Sequence, residues 1–202
     1  MAAVLLAILV TFVALPARAE LSQHDRETVQ RVEAYLNSVR SLAADFVQIG
    51  PNGETAKGKV YLRRPGKLRF EYAPPSPLLL VADGRWLVLE DKELHHVDRW
   101  PVGDTPLAIL IADRVNLGEN VQVTEVKRAG GVLRVTVVDR KRPGEGHLTM
   151  IFNETPLELR QWEVHDARGG VTHVSLHDPK VNVQLADNLF FYDHFGKFPG
   201  QH

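Results

Sequence analysis

Catalytic chemistry in this chain would have to come from histidines and carboxylates. The 202 residues include nine His and 25 Asp or Glu but no Cys, so a thiol nucleophile is excluded. There is no Gly-x-Ser-x-Gly, His-Glu-x-x-His, phosphate-binding loop or Gly-x-Gly-x-x-Gly motif. The carboxylates of one stretch fall at predicted turns, where local hydrogen bonding accounts for them: Asp83, Glu90, Asp91 and Glu93. A hydrolase is an alternative that lacks a recognisable nucleophile and base, and the sequence predicts that the protein is not an enzyme.

The histidines also raise the question of a metal site. His95 and His96 are adjacent on a predicted strand and point to opposite faces, which is poor geometry for chelation. His173 and His177 share a face but lie too far apart to bind one ion without a partner. A hairpin between the last two strands would bring Glu163 near His173, as a metal site or as a solvated cross-strand pair, and the pair is favoured. The prediction is no metal and no cofactor.

The most informative stretch is an apolar hairpin, residues 61–72, with two arginines at its turn. Residues 67–72 alternate in character, with Leu68 and Phe70 on one face and charged side chains on the other. Arg63-Arg64-Pro65 stands at the turn. An Arg-Pro step at the rim of an apolar hairpin is unusual for a plain core.

Two helical segments accompany the strands. Ser22 opens a helix-start signature, and apolar residues at helical spacing predict one amphipathic helix over residues 23–40. A second segment, residues 106–112, is apolar nearly all round and has Asp104 or Thr105 as its predicted cap. Because it is apolar on every side, one face must be buried and the other must also find an apolar partner.

The rest of the chain predicts about eleven short strands, nearly all reachable by hairpins. A single antiparallel sheet of that length must curl. The predicted fold is therefore mainly β (α+β): a curled antiparallel sheet with both helical segments across its concave side. The pattern does not decide whether such a barrel closes.

The N-terminus predicts export. Residues 4–15 are apolar and are followed by an Ala-x-Ala pattern, so residues 1–19 are interpreted as a signal peptide cleaved after Ala19, with an uncleaved membrane anchor as the alternative. Residues 20–202 then form one domain, which must be stable without disulfides.

The chain has 24 Lys and Arg against 25 Asp and Glu; removal of Arg18 leaves 23 against 25, a net charge of −2. Nucleic acid and anionic membrane surfaces are therefore poor partners.

Several motifs in this order resemble the LolA family of periplasmic outer-membrane lipoprotein carriers. They are Phe46-Val47-Gln48, Arg64-Pro65 with aromatics beyond it, Asp83-Gly84 before a strand, and the helix start Asp104 to Leu107. The resemblance covers the mature chain nearly end to end. It implies an incomplete antiparallel barrel whose apolar cavity lies under a helical lid.

The resemblance also implies a function. A protein of this kind binds the acyl chains of lipoproteins, receives them from an inner-membrane ABC transporter, and carries them through the periplasm to an outer-membrane lipoprotein receptor, as a monomer. An alternative with the same cavity is a periplasmic sensor or regulatory module of envelope stress. The absence of a Cys for lipid attachment argues against the receptor itself.

Site residues follow from the resemblance and from strand alternation. The family's arginine before Pro, which holds the lid shut through lid carbonyls, corresponds to Arg64; the alternative is that Arg63 and Arg64 are both solvated hairpin charges. Leu68 stands where enteric members have an aromatic residue, which would change the cavity's shape. The predicted cavity lining is Leu62, Leu68, Phe70, Leu79, Val81, Trp86, Val88, Ile109, Leu110 and Trp162, although a register slip would turn a whole strand outward.

Overall fold

The computed structural model describes residues 21–119 and 121–192. The predicted signal peptide, residues 1–19, lies outside the described residues. None of the helices in the described part is long and apolar enough to cross a membrane.

The first element is helix α1, Gln23–Ser38. Its cap is the predicted one, because the Ser22 hydroxyl accepts a hydrogen bond from the Asp25 amide at 3.1 Å. The helix ends two residues before the predicted boundary, since Val39 is already extended and the first strand begins at Ser41. Val32 and Leu36 on its buried face pack into the main core.

Eleven strands form one antiparallel sheet within the described residues. They are β1 (Ser41–Ile49), β2 (Thr55–Arg63), β3 (Lys67–Tyr72), β4 (Leu78–Asp83), β5 (Trp86–Asp91), β6 (His96–Pro101), β7 (Val121–Ala129), β8 (Val132–Asp139), β9 (Gly146–Glu154), β10 (Leu157–Asp166) and β11 (Val171–Val181). Their order is β6-β5-β4-β3-β2-β1-β11-β10-β9-β8-β7, and β6 and β7 form the two edges. The predicted fold class is confirmed: the sheet is antiparallel and is not closed.

The sheet curls, as its aromatic contacts show. Phe70 on β3 and Trp162 on β10 are separated by four strand spacings, about 19 Å in a flat sheet. Their ring centroids are only 6.2 Å apart. The face that carries both rings is therefore concave, and we call it the inner face. The main core lies there, with α1 packed against it.

The second helical segment crosses the same face but is shorter than predicted. Helix α2 spans only Ala108–Ile111, preceded by a short 3-10 helix, Val102–Asp104. Neither Asp104 nor Thr105 caps it, because the helix begins later, with Leu107 at the N-cap position, and the Thr105 hydroxyl donates to the Val102 carbonyl at 2.9 Å. Leu110 and Ile111 are buried in the main core. We call residues 102–117 the lid.

The outer face carries a second, smaller core. Residues 183–192, which we call the C-terminal strap, follow β11 and cross the outer face of β2 to β5. A 3-10 helix, Asp187–Phe190, lies within the strap. Tyr192 packs there with Leu79, Val81 and Val88.

Candidate functional site

Arg64 lies where the β2–β3 turn meets the lid. Leu62 faces inward on β2, and alternation places Arg64, two residues later, on the same side. Its Nη1 donates to the Ala112 carbonyl at 2.9 Å, and the Gly66 amide donates to the Ile111 carbonyl at 2.6 Å. Gly66 has φ of +74°, and a Cβ at this position would lie 2.7 Å from the Gly84 Cα, so the close approach of the turn requires glycine.

The Arg64 guanidinium is buried, with 7% of the residue exposed. Burial and, to a smaller extent, the nearby charge of Arg40 lower its pKa to about 10, while Asp113 acts in the opposite direction. The group is still a cation at neutral pH. No hydrogen-bond partner for its Nε lies among the described residues.

The same end of the lid is also bonded to α1 and the residues that follow it. The Asn37 side chain donates to the Val115 carbonyl and accepts from the Val115 amide, both at 2.9 Å. The Glu33 carboxylate accepts from the Leu117 amide at 2.9 Å. Arg40 pairs with Asp113 at 2.9 Å. These contacts join α1 to the C-terminal half of the lid.

The other end of the lid is held by Arg142, from the loop between β8 and β9. Its guanidinium donates to the Gly103 carbonyl and to the Asp104 carboxylate. Asp139 lies within 3.4 Å of the same guanidinium. Sequence reasoning did not single out Arg142, since the approach of two distant loops leaves no local pattern.

Arg63 and Arg64 lie on opposite faces of the sheet. Arg63 faces outward and donates to the Leu185 carbonyl and the Asp187 carboxylate of the strap. Its guanidinium carbon is 5.0 Å from the Phe190 ring centroid. The alternative that both arginines are solvated hairpin charges is therefore wrong, because each binds a different segment.

A small cavity of about 20 Å³ lies beneath the lid. It is lined by Tyr35, Leu36, Val39, Leu42, Val60, Leu62, Arg64, Leu110, Leu159 and Trp162. That volume accommodates about one water molecule, far less than an acyl chain. Side chains of α1 and α2 fill most of the remaining space under the lid, and a second cavity of about 40 Å³ lies between Ile109 of the lid and Val137 and Leu148 of the sheet. The sequence prediction omitted Leu42 and Val60, although strand alternation on β1 and β2 places both on this face.

The ten predicted lining residues divide into three groups. Leu62, Leu110 and Trp162 line the cavity. Leu68 and Phe70 belong to the same inner core, and Ile109 packs against it.

The third group corrects the prediction: Leu79, Val81, Trp86 and Val88 lie on the outer face, around the strap. Leu68 pairs with Ala82 and Phe70 with Leu80, so the even-numbered residues of β4 face inward. On β5, Leu87 pairs with Ala82 and faces inward for the same reason. Because both strands are apolar on both faces, alternation alone could not choose between the two sets.

The side of the lid toward β7 borders an open groove. Ile109, Ala112 and Val115 form part of an open groove of about 250 Å³ between the lid and β7. Arg114 and Lys141 stand at its rim.

The predicted proximity of Glu163 and His173 is observed on the outer face. Their nearest atoms are 3.4 Å apart. Glu163 accepts two hydrogen bonds from Arg134, at 2.7 and 2.8 Å. Burial raises the Glu163 pKa, but the hydrogen bonds and charge of Arg134, together with His173 and His165, outweigh that effect and the net pKa is lowered. No three metal-binding side chains come together within residues 21–119 and 121–192.

Comparison with known proteins identifies the family. The sequence profile of the outer membrane lipoprotein carrier protein LolA matches residues 37–193. The chain belongs to the LolA family. The match contains Arg64, the whole lid and all eleven strands.

Individual LolA-family relatives agree over most of their length. An outer-membrane lipoprotein carrier protein of Azotobacter vinelandii is 28% identical over 196 residues, covering 90% of this chain and 89% of the relative. One of Methylococcus capsulatus is 27% identical over 178 residues, covering 84% and 85%. A solved DUF1329 family protein of Desulfovibrio piger has a TM-score of 0.51 at 10% identity, covering 85% of this chain and 97% of its own, and shares the fold.

Proposed function

We propose that this LolA-family protein is a periplasmic carrier that binds the acyl chains of lipoproteins between its sheet and its lid. Residues 1–19 would direct export, and residues 20–202 would act as a single, non-enzymatic carrier domain. The lipoprotein would come from an inner-membrane ABC transporter and pass to an outer-membrane receptor. The observation that carries the proposal is the buried Arg64 guanidinium, which bonds the lid over an apolar inner face.

Binding energy for such a ligand is easily large enough. Burial of acyl chains contributes about 0.8 kcal/mol per methylene, so one long chain would gain on the order of 12 kcal/mol. That corresponds to an affinity near the nanomolar range. A carrier must also release its ligand, so a cost has to oppose this gain.

The filled interior supplies that cost. Leu110 and Ile111 of the lid occupy space that an acyl chain would need. Loading would expose these side chains, at roughly 1.5–3 kcal/mol for each one moved fully into water. Return of the lid would bury them again and restore the Arg64 bond. The closed lid and the bound chain therefore compete for one site, which makes the affinity adjustable.

The test is recovery of the ligand with the protein. The full chain is expressed with its own N-terminus in a Gram-negative host, purified from the periplasm, and analysed by mass spectrometry for lipoproteins. We expect acylated lipoproteins to copurify, and the loaded protein to release them to membranes carrying the receptor. Recovery without acylated protein, together with failure to accept lipoprotein from transporter-containing vesicles, would contradict the proposal.

A further inference from the structure

Two buried hydrogen-bond donors in the inner core lack partners. They are Nε of Arg64 and Nε1 of Trp162, and no acceptor within the described residues lies in hydrogen-bond range of either. The residues are only 7% and 3% exposed. Native proteins pair nearly all buried polar groups, so two orphans in one core require an explanation.

Both donors belong to the same place. Arg64 and Trp162 both line the cavity of about 20 Å³ beneath the lid, and every other lining residue except Tyr35 is aliphatic. The Tyr35 hydroxyl accepts from the Leu159 amide at 3.1 Å. The cavity is thus a largely apolar pocket, and two of the residues that line it each have an N–H group without a partner among the described residues.

The chemistry of the donors defines what they select. An indole N–H only donates, and so does a guanidinium, so the matching group must be an acceptor without a competing cation. The cavity has room for about one oxygen atom. An oxygen of this kind attached to aliphatic chains is the carbonyl oxygen of an acyl ester.

We propose that Arg64 Nε and Trp162 Nε1 form a polar subsite for the ester carbonyl oxygens at the head of bound acyl chains. This inference rests on the proposed carrier function and adds the recognition of the linkage to the burial of the chain. The chain itself would run along the aliphatic lining once the lid has moved. Trp162 would thereby distinguish acyl esters from equally long hydrocarbon.

The arrangement also couples the ligand to the lid. Arg64 gives its Nη1 to the Ala112 carbonyl in the closed form. When the lid leaves, that N–H is released, so the guanidinium then has two unused donors, Nη1 and Nε, and each can donate to a carbonyl oxygen. A ligand ester would replace the lid carbonyl as the acceptor for Arg64, and the returning lid would displace the ester again.

The experiment compares two synthetic lipopeptides with the same peptide and chain lengths. One has two ester-linked chains on its glyceryl cysteine, and the other has the corresponding ether links without carbonyls. Dissociation constants are measured by fluorescence titration for the wild type and for Trp162→Phe, which keeps an aromatic ring and removes the donor. Trp86→Phe, on the outer face, is the matched control.

We expect the wild type to bind the diester about tenfold more tightly than the diether, since each satisfied donor contributes a few-fold. Hydrophobicity alone predicts the reverse order, because ether chains are less polar. Trp162→Phe should weaken binding of the diester about fivefold and leave binding of the diether unchanged, so the ratio of the two dissociation constants becomes smaller. Trp86→Phe should keep the wild-type ratio.

Each outcome is decisive. The ratio of the two dissociation constants is measured on the wild type alone, so the proposal can still be tested if Trp162→Phe fails to fold. If both lipids bind equally to the wild type, or if Trp162→Phe weakens both alike, the carbonyl subsite is wrong and the carrier proposal stands. If neither lipid binds, the proposed function fails as well.

Discussion

At the residue scale, Arg64 combines a stabilising contact with an unfavourable environment. It donates one charge-assisted hydrogen bond to the lid, and such a bond contributes about 1.5–3 kcal/mol. Its lowered pKa shows that burial opposes the cation. This contact with the lid is therefore only partly satisfied, which suits a contact that the proposed transport cycle would break repeatedly.

Replacing Arg64 by Leu should shift the lid toward the open form. We expect the open population to rise about tenfold, at the lower end of the range for a charge-assisted bond, because the variant also loses the burial penalty. The variant should accept lipoprotein and then fail to deliver it, since reclosing no longer opposes the bound chain. A two-step assay, from inner-membrane vesicles to carrier and from carrier to receptor, separates the two effects.

The controls follow from the contacts. Arg64→Lys should be partly defective, because an ammonium cannot reproduce the planar fork. Arg63→Leu is unsuitable as a neutral control, since Arg63 holds the strap. Arg168→Leu, on an exposed turn, is the better comparison and should transfer normally. Loading and delivery by Arg64→Leu at wild-type levels would show that Arg64 does not control the lid.

His147 should make stability depend on pH. Burial lowers its pKa below the ordinary 6.5, and the charge of His165, stacked at 4.0 Å, lowers it further. The folded state therefore binds fewer protons at this site than the unfolded state, and stability is lost as pH falls below about 6.5. We expect the free energy of unfolding in urea to fall between pH 7.5 and 5.5.

His147→Phe keeps the ring stacking on His165 and removes the titration, so it should reduce that fall. His177→Phe, on an exposed part of β11, should retain it. Glu163 does not affect this comparison. Because its pKa is lowered in the folded state, the stability that its ionised form contributes is lost only as the pH falls below about 4.5. An unchanged pH dependence in His147→Phe would assign the effect to another group.

At the scale of elements, the C-terminal strap packs against the outer face of the sheet and is bonded to it. Arg63 and Arg69 donate to the carbonyls of Leu185 and Leu189, both at 3.1 Å. Beneath the strap lie the outward-facing side chains of β4 and β5. The strap thus covers apolar surface that would otherwise be exposed on the convex side.

The two adjacent phenylalanines of the strap provide a direct test. Phe190 is 2% exposed and Phe191 is 51% exposed. Phe190→Ala should lower the free energy of unfolding by about 3 kcal/mol, in the range for buried aromatics. Phe191→Ala should change it by about 0.5 kcal/mol or less. Urea denaturation of both variants measures the difference, and equal effects would mean that the strap does not pack as described.

The strap also explains which part of the architecture the sequence could predict. Strand number, hairpin connectivity and the helical segments follow from periodicity and turn residues, and α1 begins at its predicted cap. Residues 78–81 are all apolar and do not alternate with polar residues, so the sequence alone does not show which of them face inward; that depends on what covers the other face. That cover comes from residues more than 100 positions away, and no local pattern records it. The contact of Arg142 with the lid could not be predicted for the same reason, since it joins segments that are far apart in the sequence.

At the scale of the whole molecule, the interior is filled in the closed form. The family resemblance implied an apolar cavity under the lid. Val32 and Leu36 of α1, with Leu110 and Ile111 of the lid, fill most of that space and leave a cavity of about 20 Å³ beside them. An acyl chain can therefore enter only if the helices move away from the sheet.

Cross-linking the lid should consequently prevent loading. The chain has no Cys, so a pair of introduced thiols is chemically unique. Arg40 and Asp113 form an exposed ion pair at 2.9 Å that joins the start of β1 to the lid. In the variant Arg40→Cys with Asp113→Cys, a short bis-maleimide would bridge the two positions. Before reaction the variant should accept lipoprotein, because an exposed ion pair contributes only about 0–1 kcal/mol. After reaction we expect acceptance from transporter-containing vesicles to be lost.

The matched control uses a second ion pair that involves no moving part. Asp45 and Lys59 pair at 3.1 Å between β1 and β2, within the sheet itself. The same cross-link there should leave acceptance unchanged, which excludes an effect of the reagent or of added rigidity in the sheet. Because an anchored lid blocks the entrance while the apolar surface below it stays intact, loss of loading in the first variant alone would assign entry to lid movement. Normal loading of the cross-linked lid would mean that acyl chains bind elsewhere, and the outer groove between the lid and β7 would then be the surface to test.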